Sequence, residues 1–162
     1  MKTRQAADNP MRFEQVKEVL EHVIDYHREL AAEYRKLAKQ AHDGRVRMLL
    51  IYLADHEDRM RTGLERYQSG DHRSVLNTWM QNAPDLGHPK ILEELKGCLC
   101  CTSVEEVLEL AEKIHDTLTD MYRTLASHAA IADERLLFES LADRQLAENR
   151  RLSRDAARLD MY

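Results

Sequence analysis

Displaced by 88 positions, residues 19–61 fall without a gap on residues 107–149, with fifteen identities in forty-three positions. Some of these matches are the apolar period that any two amphipathic helices share. Others are not: His27 falls on His115, Tyr34-Arg35 on Tyr122-Arg123, and Leu53-Ala54-Asp55 on Leu141-Ala142-Asp143. A chain that repeats itself in this way is built from two like units, and each must bury its apolar face against the other.

Each unit reads as a pair of helices. From Phe13 onward Val16, Leu20, Val23, Leu30, Tyr34, Leu37 and Ala41 recur at helical spacing. They predict a helix over about 12–42, with Asn9-Pro10 as its N-terminal cap and Asp43-Gly44 as its break. A second helix, about 45–68, carries Val46, Leu49, Leu53, Met60, Leu64 and Tyr67 on one stripe and stops at Ser69-Gly70. So short a turn makes an antiparallel hairpin. Ser103 followed by Glu106 forms a capping-box pattern, from which Val104, Leu108, Ala111, Leu118, Tyr122 and Leu125 trace a third helix to about 128. A fourth, about 132–158, runs through Leu137, Leu141, Leu152 and Ala156.

The hairpins therefore span about 12–68 and 104–158. Residues 69–103 between them collect Pro84, Gly87 and Pro89 and two short amphipathic pieces, around 75–80 and 91–95. This segment reads as a crossover. If the second and third helices run parallel, it must travel the bundle's length, about 36 Å for 24 residues at 1.5 Å each, and its length suffices. Gly and Pro number 5 and 3 in 162 residues, too few for the turns of a sandwich or barrel. The prediction is an all-α four-helix bundle forming a single domain over 1–162.

Lys and Arg number 24 against 29 Asp and Glu, a net charge of −5 with the signs interleaved. That balance argues against a sequence-independent grip on nucleic acid, and the Arg-rich run from Arg144 to Arg158 reads as a solvated helix face. No apolar run reaches the roughly 18 residues of a membrane span, and residues 1–10 lack the apolar segment of a secretion signal. The expectation is a cytoplasmic protein that engages neither nucleic acid nor membrane. No Gly-rich phosphate loop, nucleophile elbow, His-Glu-x-x-His helix or EF-hand loop is present, so hydrolase and nucleotide-binding readings have no residue to stand on.

The informative feature is polar. Position 27 belongs to the first helix's apolar stripe, yet it is histidine, and the repeat does the same at His115. The second helix's stripe meets Glu57, and the fourth helix's meets Gln145 and Glu148. Each interruption lies a similar distance from its hairpin turn, so folding gathers them at one level. A buried carboxylate is costly unless paired or metal-bound. Two readings account for the layer. In one, His27, Glu57, His115 and Glu148 ligate a transition metal (iron, zinc or manganese), with Gln145 and Met60 adjoining. In the other, a hydrogen-bonded Glu–His layer without metal fixes the helix register. His22 and His56 lie beside the stripes and read as surface positions, with His56 a substitute ligand if its helix turns slightly. Tyr34 and Tyr122, two turns from the histidines, read as core, or as hydrogen-bonding support to the layer.

Together the repeated hairpins and this layer resemble the ferritin-like superfamily, especially the rubrerythrin group. The resemblance covers both hairpins and leaves the crossover unaided. In that family the first and third helices each supply a Glu seven residues before an aromatic, and the second and fourth each supply Glu-x-x-His. Here His27 precedes Tyr34 and His115 precedes Tyr122, while the second pattern falls on Glu57-x-x-Met60 and Gln145-x-x-Glu148. Only Glu57 keeps the family's residue in its place. The resemblance implies the fold and a reduced metal site with redox or metal-handling chemistry. It implies no inherited peroxidase activity, and no C-terminal Cys-x-x-Cys pairs suggest a rubredoxin-like appendage.

Cys98, Cys100 and Cys101 stand just ahead of the third helix's cap, where a helix N-terminus lowers a thiol's pKa. They read either as a thiol-redox cluster or as ordinary reduced cysteines in a connecting segment. An odd, crowded set is no disulfide framework, and one Cys pair completes a tetrahedral metal site only if a group such as His88 joins. Trp79 with Val75, Leu76 and Met80 gives the crossover an apolar face that packs on the bundle or covers a partner subunit; a homo-oligomer, with a dimer favoured, is expected. Three functions remain open at this stage: a reduced His/Glu metal site, a non-catalytic interaction protein that has lost that site, and a thiol-redox role.

Overall fold

The computed structural model describes residues 15–80 and 103–159. Within them lie four long helices: α1 (Val16–Gln40) and α2 (Gly44–Ser69), then α4 (Val104–Ser127) and α5 (Ala132–Leu159), with a short α3 (Arg73–Leu76) after the first pair. Among the described residues the extended pairing is a single bridge between Gln15 and Trp79. Val16 and Gly44 open α1 and α2 at positions 88 before Val104 and Ala132, which open α4 and α5. The repeat in sequence is thus a repeat in structure.

Local chemistry sets the ends. Asp43 caps α2 by accepting from the Arg45 amide at 2.8 Å, Gly70 closes it, and Ser103 Oγ accepts from the Glu106 amide at the start of α4. At α1 the structure corrects the expected start near residue 12. Gln15 is extended and caps the helix in a reciprocal arrangement with Glu18. The Val16 amide donates to the Thr78 carbonyl at 3.2 Å, which holds the chain extended there. Asn9-Pro10 lies outside the described residues, as do Cys98, Cys100, Cys101, His88 and the amphipathic piece at 91–95.

Contacts fix the helix directions. Arg28 reaches Glu65, whereas Arg35, two turns on, reaches Asp55 and Asp58, so α1 and α2 are antiparallel. Between α2 and α5, Tyr52 Oη donates to Asp155, His56 faces Glu148, and Gly63 faces Arg144, again with one number rising as the other falls. Because α5 follows α4 through the short connection 128–131, α4 runs parallel to α2. The end of α2 and the start of α4 therefore lie at opposite ends of the bundle.

The core lies among the four long helices. Val16, Leu20, Leu30, Tyr34, Leu49, Leu53, Ile114, Leu125 and Phe138 are all essentially inaccessible, each buried aliphatic side chain contributing about 1.5–3 kcal/mol. Leu141, expected inside, is only half-buried against the core, whereas Phe138, about one turn before it, is fully buried. Trp79 is 65 % exposed. No helix of the described residues is long and apolar enough to cross a membrane.

Candidate metal centre

Polar side chains interrupt the core at mid-height. α1 contributes His27, α2 contributes His56 and Glu57, and α4 contributes His115, all at most 2 % exposed. Glu57 stands between two imidazoles: His27 Nδ1 lies 2.5 Å from its Oε2, and His115 Nε2 lies 3.1 Å from its Oε1. The His56 and His115 rings are 5.1 Å apart at 52°. His56 Nδ1 is 3.4 Å from Glu148 Oε2 of α5, whose side chain is 23 % exposed.

His56 and Glu57 are neighbours in sequence, about 100° apart around a helix, and both are buried because α2 packs on α1 as well as on α4 and α5. This corrects the surface reading of His56. It lies on the run Leu49, Leu53, His56, Met60, whose steps of four, three and four are helical; that signal was available in the sequence. The repeat hid it, since His56 falls on Arg144 and so has no symmetric partner. His22, by contrast, is half-buried.

The electrostatics follow from burial and pairing. Removal from water would raise the Glu57 pKa, but the charge and hydrogen bonds of His27 and His115 override it and hold the carboxyl well below the usual range. An ionised Glu57 only accepts, so both imidazoles present N–H to it. Their other nitrogens, His27 Nε2 and His115 Nδ1, are inaccessible and have no hydrogen-bond partner. His56 is lowered to about 4, mainly by burial and further by His115 and His27, with Glu57 and Glu148 opposing. It is therefore neutral at pH 7, the form that binds metal.

Other atoms around this layer share the same shortage. His56 Nε2 and Gln145 Oε1 are likewise inaccessible and without a hydrogen-bond partner, although the Gln145 amide donates to Asn149 at 3.2 Å, and Glu148 Oε2 has only its 3.4 Å contact with His56. Met60, one turn beyond Glu57, is buried. Tyr34 and Tyr122 are buried with unpartnered hydroxyls, both raised by burial and then by the charge of Glu57. Each orphaned buried group costs about 1–3 kcal/mol, so so many at one level call for something that satisfies them. His56, Glu57 and His115 each offer a ligand atom, and these atoms lie within 4.8 Å of one another. Of the residues expected from sequence, the structure brings His27, Glu57 and His115 together; Glu148 stands at the edge, against His56.

No protein-family model and no curated protein matches the chain. Among solved structures, one described as a ferritin-like diiron-carboxylate protein from Thermotoga maritima superposes with a TM-score of 0.59 at 18 % identity. The match covers 88 % of this chain and 95 % of that one. The fold is ferritin-like. A ferritin-like bundle surrounds one interior space with its four long helices, and here that space holds three imidazoles and an ionised carboxylate, with a second carboxylate at its edge. Neutral imidazole and carboxylate are the donors that zinc, iron and manganese accept, and the imidazole nitrogens not engaged with a carboxylate have no hydrogen-bond partner. The residues present fit a metal ion.

Proposed function

We propose that this ferritin-like chain holds one transition-metal ion, iron, zinc or manganese, in its core. His56, Glu57 and His115 supply the ligands. His27 fixes the Glu57 carboxylate through its Nδ1–H, the kind of support that orients a ligand and tunes its basicity. Glu148, with Gln145 one turn before it, borders the open side. One observation carries the reading: three buried residues offer ligand atoms within 4.8 Å of one another while the imidazole nitrogens around them lack partners.

The number of ions follows from charge. The similar Thermotoga maritima protein is described as diiron-carboxylate, whereas Glu57 is the one fully buried carboxylate of this layer. A single carboxylate with neutral imidazoles offsets a quarter of the charge of two divalent ions but half that of one, so a mononuclear centre is the better match. Two imidazoles and one carboxylate with positions left open also describe non-haem iron and catalytic zinc sites. A bound ion there supplies Lewis acidity or, for iron or manganese, electron transfer, and redox or metal handling is the corresponding role.

Titration of metal-free protein with Co(II), followed by its visible absorption, tests the assignment. The expected result is a saturable signal from one ion, weakened more than about 100-fold in His115→Ala and His56→Ala variants whose helix content is retained. Unchanged affinity in both variants would refute it.

A further inference from the structure

A second feature stands apart from the polar layer and does not rest on the metal reading. Where α2 ends, α3 crosses and α5 begins, the surface opens into a cleft of about 630 Å³. Its long wall is apolar, made by Leu64 of α2 with Leu137 and Leu141 of α5. At one end, Tyr67 and His72 stack with ring centroids 3.9 Å apart and planes within 7°. At the other end lies the exposed Arg144.

Arg144 is placed there by a glycine. A Cβ at Gly63 would meet Arg144 Nη1 at 2.4 Å and Nη2 at 2.7 Å, so the guanidinium lies against the bare backbone of α2. Glycine in the middle of a helix is unfavourable relative to alanine; here it makes the room. Among the described residues Arg144 has no carboxylate partner, its charge acting on the buried Tyr122 hydroxyl instead, whereas Arg35 and Arg61 on the same bundle each pair with carboxylates. Asp71 and Asp133 also line the cleft. Asp133 lies eleven residues before Arg144 on α5, about 16 Å along the axis. Charge along the cleft is therefore polarised, with Asp133 near Tyr67 at one end, the Arg144 guanidinium at the other and an apolar wall between.

We propose that this cleft binds an organic monocarboxylate, its carboxylate paired with the Arg144 guanidinium and its apolar or aromatic body lying along Leu64, Leu137 and Leu141 toward the Tyr67–His72 stack. Guanidinium and carboxylate match in geometry and charge. The wall supplies burial for the body. Asp71 and Asp133 repel a second negative group at the far end, so the site selects monoanions over dianions.

The test uses the full chain as purified and 4-phenylbutyrate as probe, titrated calorimetrically, with 4-phenylbutanol and a dicarboxylate of similar length as comparisons. Saturable binding of the monocarboxylate is expected, with each comparison weaker by about tenfold or more, the scale of one charge-assisted contact. Arg144→Gln and Gly63→Ala should each weaken the monocarboxylate by a similar factor. The alanine displaces only the far end of a flexible side chain, so that variant should melt no lower than the parent. No saturable binding, or unchanged affinity in either variant, overturns the proposal.

Discussion

Glu57 on α2 lies 3.1 Å from His115 on α4, both wholly out of solvent, and this contact ties one repeated hairpin to the other in the middle of the core. The same carboxylate holds His27 of its own hairpin at 2.5 Å. Removing it leaves two imidazoles facing an apolar gap. Glu57→Ala should therefore lower the stability of metal-free protein by about 3–5 kcal/mol, the usual effect of deleting one partner of a buried pair. Urea denaturation reads this as a lower midpoint with an unchanged slope; an unaltered midpoint would show that the carboxylate is not paired.

The pH dependence of metal-free protein has a sign set by His56. Its folded value is lowered to about 4 by burial, so between there and its unfolded value of about 6.5 the unfolded chain takes up the proton first. Stability is complete above that unfolded value and declines toward pH 4, by up to about 3 kcal/mol from this residue. Glu57, also held below its ordinary value, contributes stability above the unfolded carboxylate range and loses it at still lower pH. Denaturant midpoints at intervals from pH 7 to 4 should show a slope that flattens in His56→Leu. Identical slopes would mean that His56 is protonated equally in both states.

His27 is assigned a supporting role, which makes its variant distinguishable from those of the ligands. His27→Ala should weaken Co(II) binding by about 10–100-fold, less than the loss on removing His115. Equal losses in the two variants would make His27 a ligand in its own right.

The buried hydroxyls of Tyr34 and Tyr122 have no hydrogen-bond partner. Tyr34→Phe or Tyr122→Phe in metal-free protein should leave stability unchanged or raise it by up to about 2 kcal/mol, because an unmet donor is removed. Thermal melts check this. A clear drop would reveal a partner to the hydroxyl.

Much of the fold was legible because a spacing of 88 residues carried it. His27 with His115 and Leu53-Ala54-Asp55 with Leu141-Ala142-Asp143 located both hairpins, and Asp43, Ser69 and Ser103 marked helix ends to within a residue or so. The start of α1 was not legible, since it depends on the Val16 amide meeting Thr78 more than sixty residues away. In the site, the apolar stripes revealed His27, Glu57 and His115 as inward-facing. They missed His56 because one stripe was assigned to a helix that packs against neighbours on two sides, and because Arg144 breaks the symmetry there. Glu148 continued a stripe by period alone; its place at the edge is set by how α5 lies across α2, which no local pattern encodes.

Elemental analysis of the protein purified from metal-supplemented cultures tests the central claim most directly. One equivalent of a transition metal per chain is predicted, falling to a small fraction in both Glu57→Ala and His115→Ala. Metal-free protein, two equivalents per chain, or full loading in both variants would contradict a single ion held by His56, Glu57 and His115.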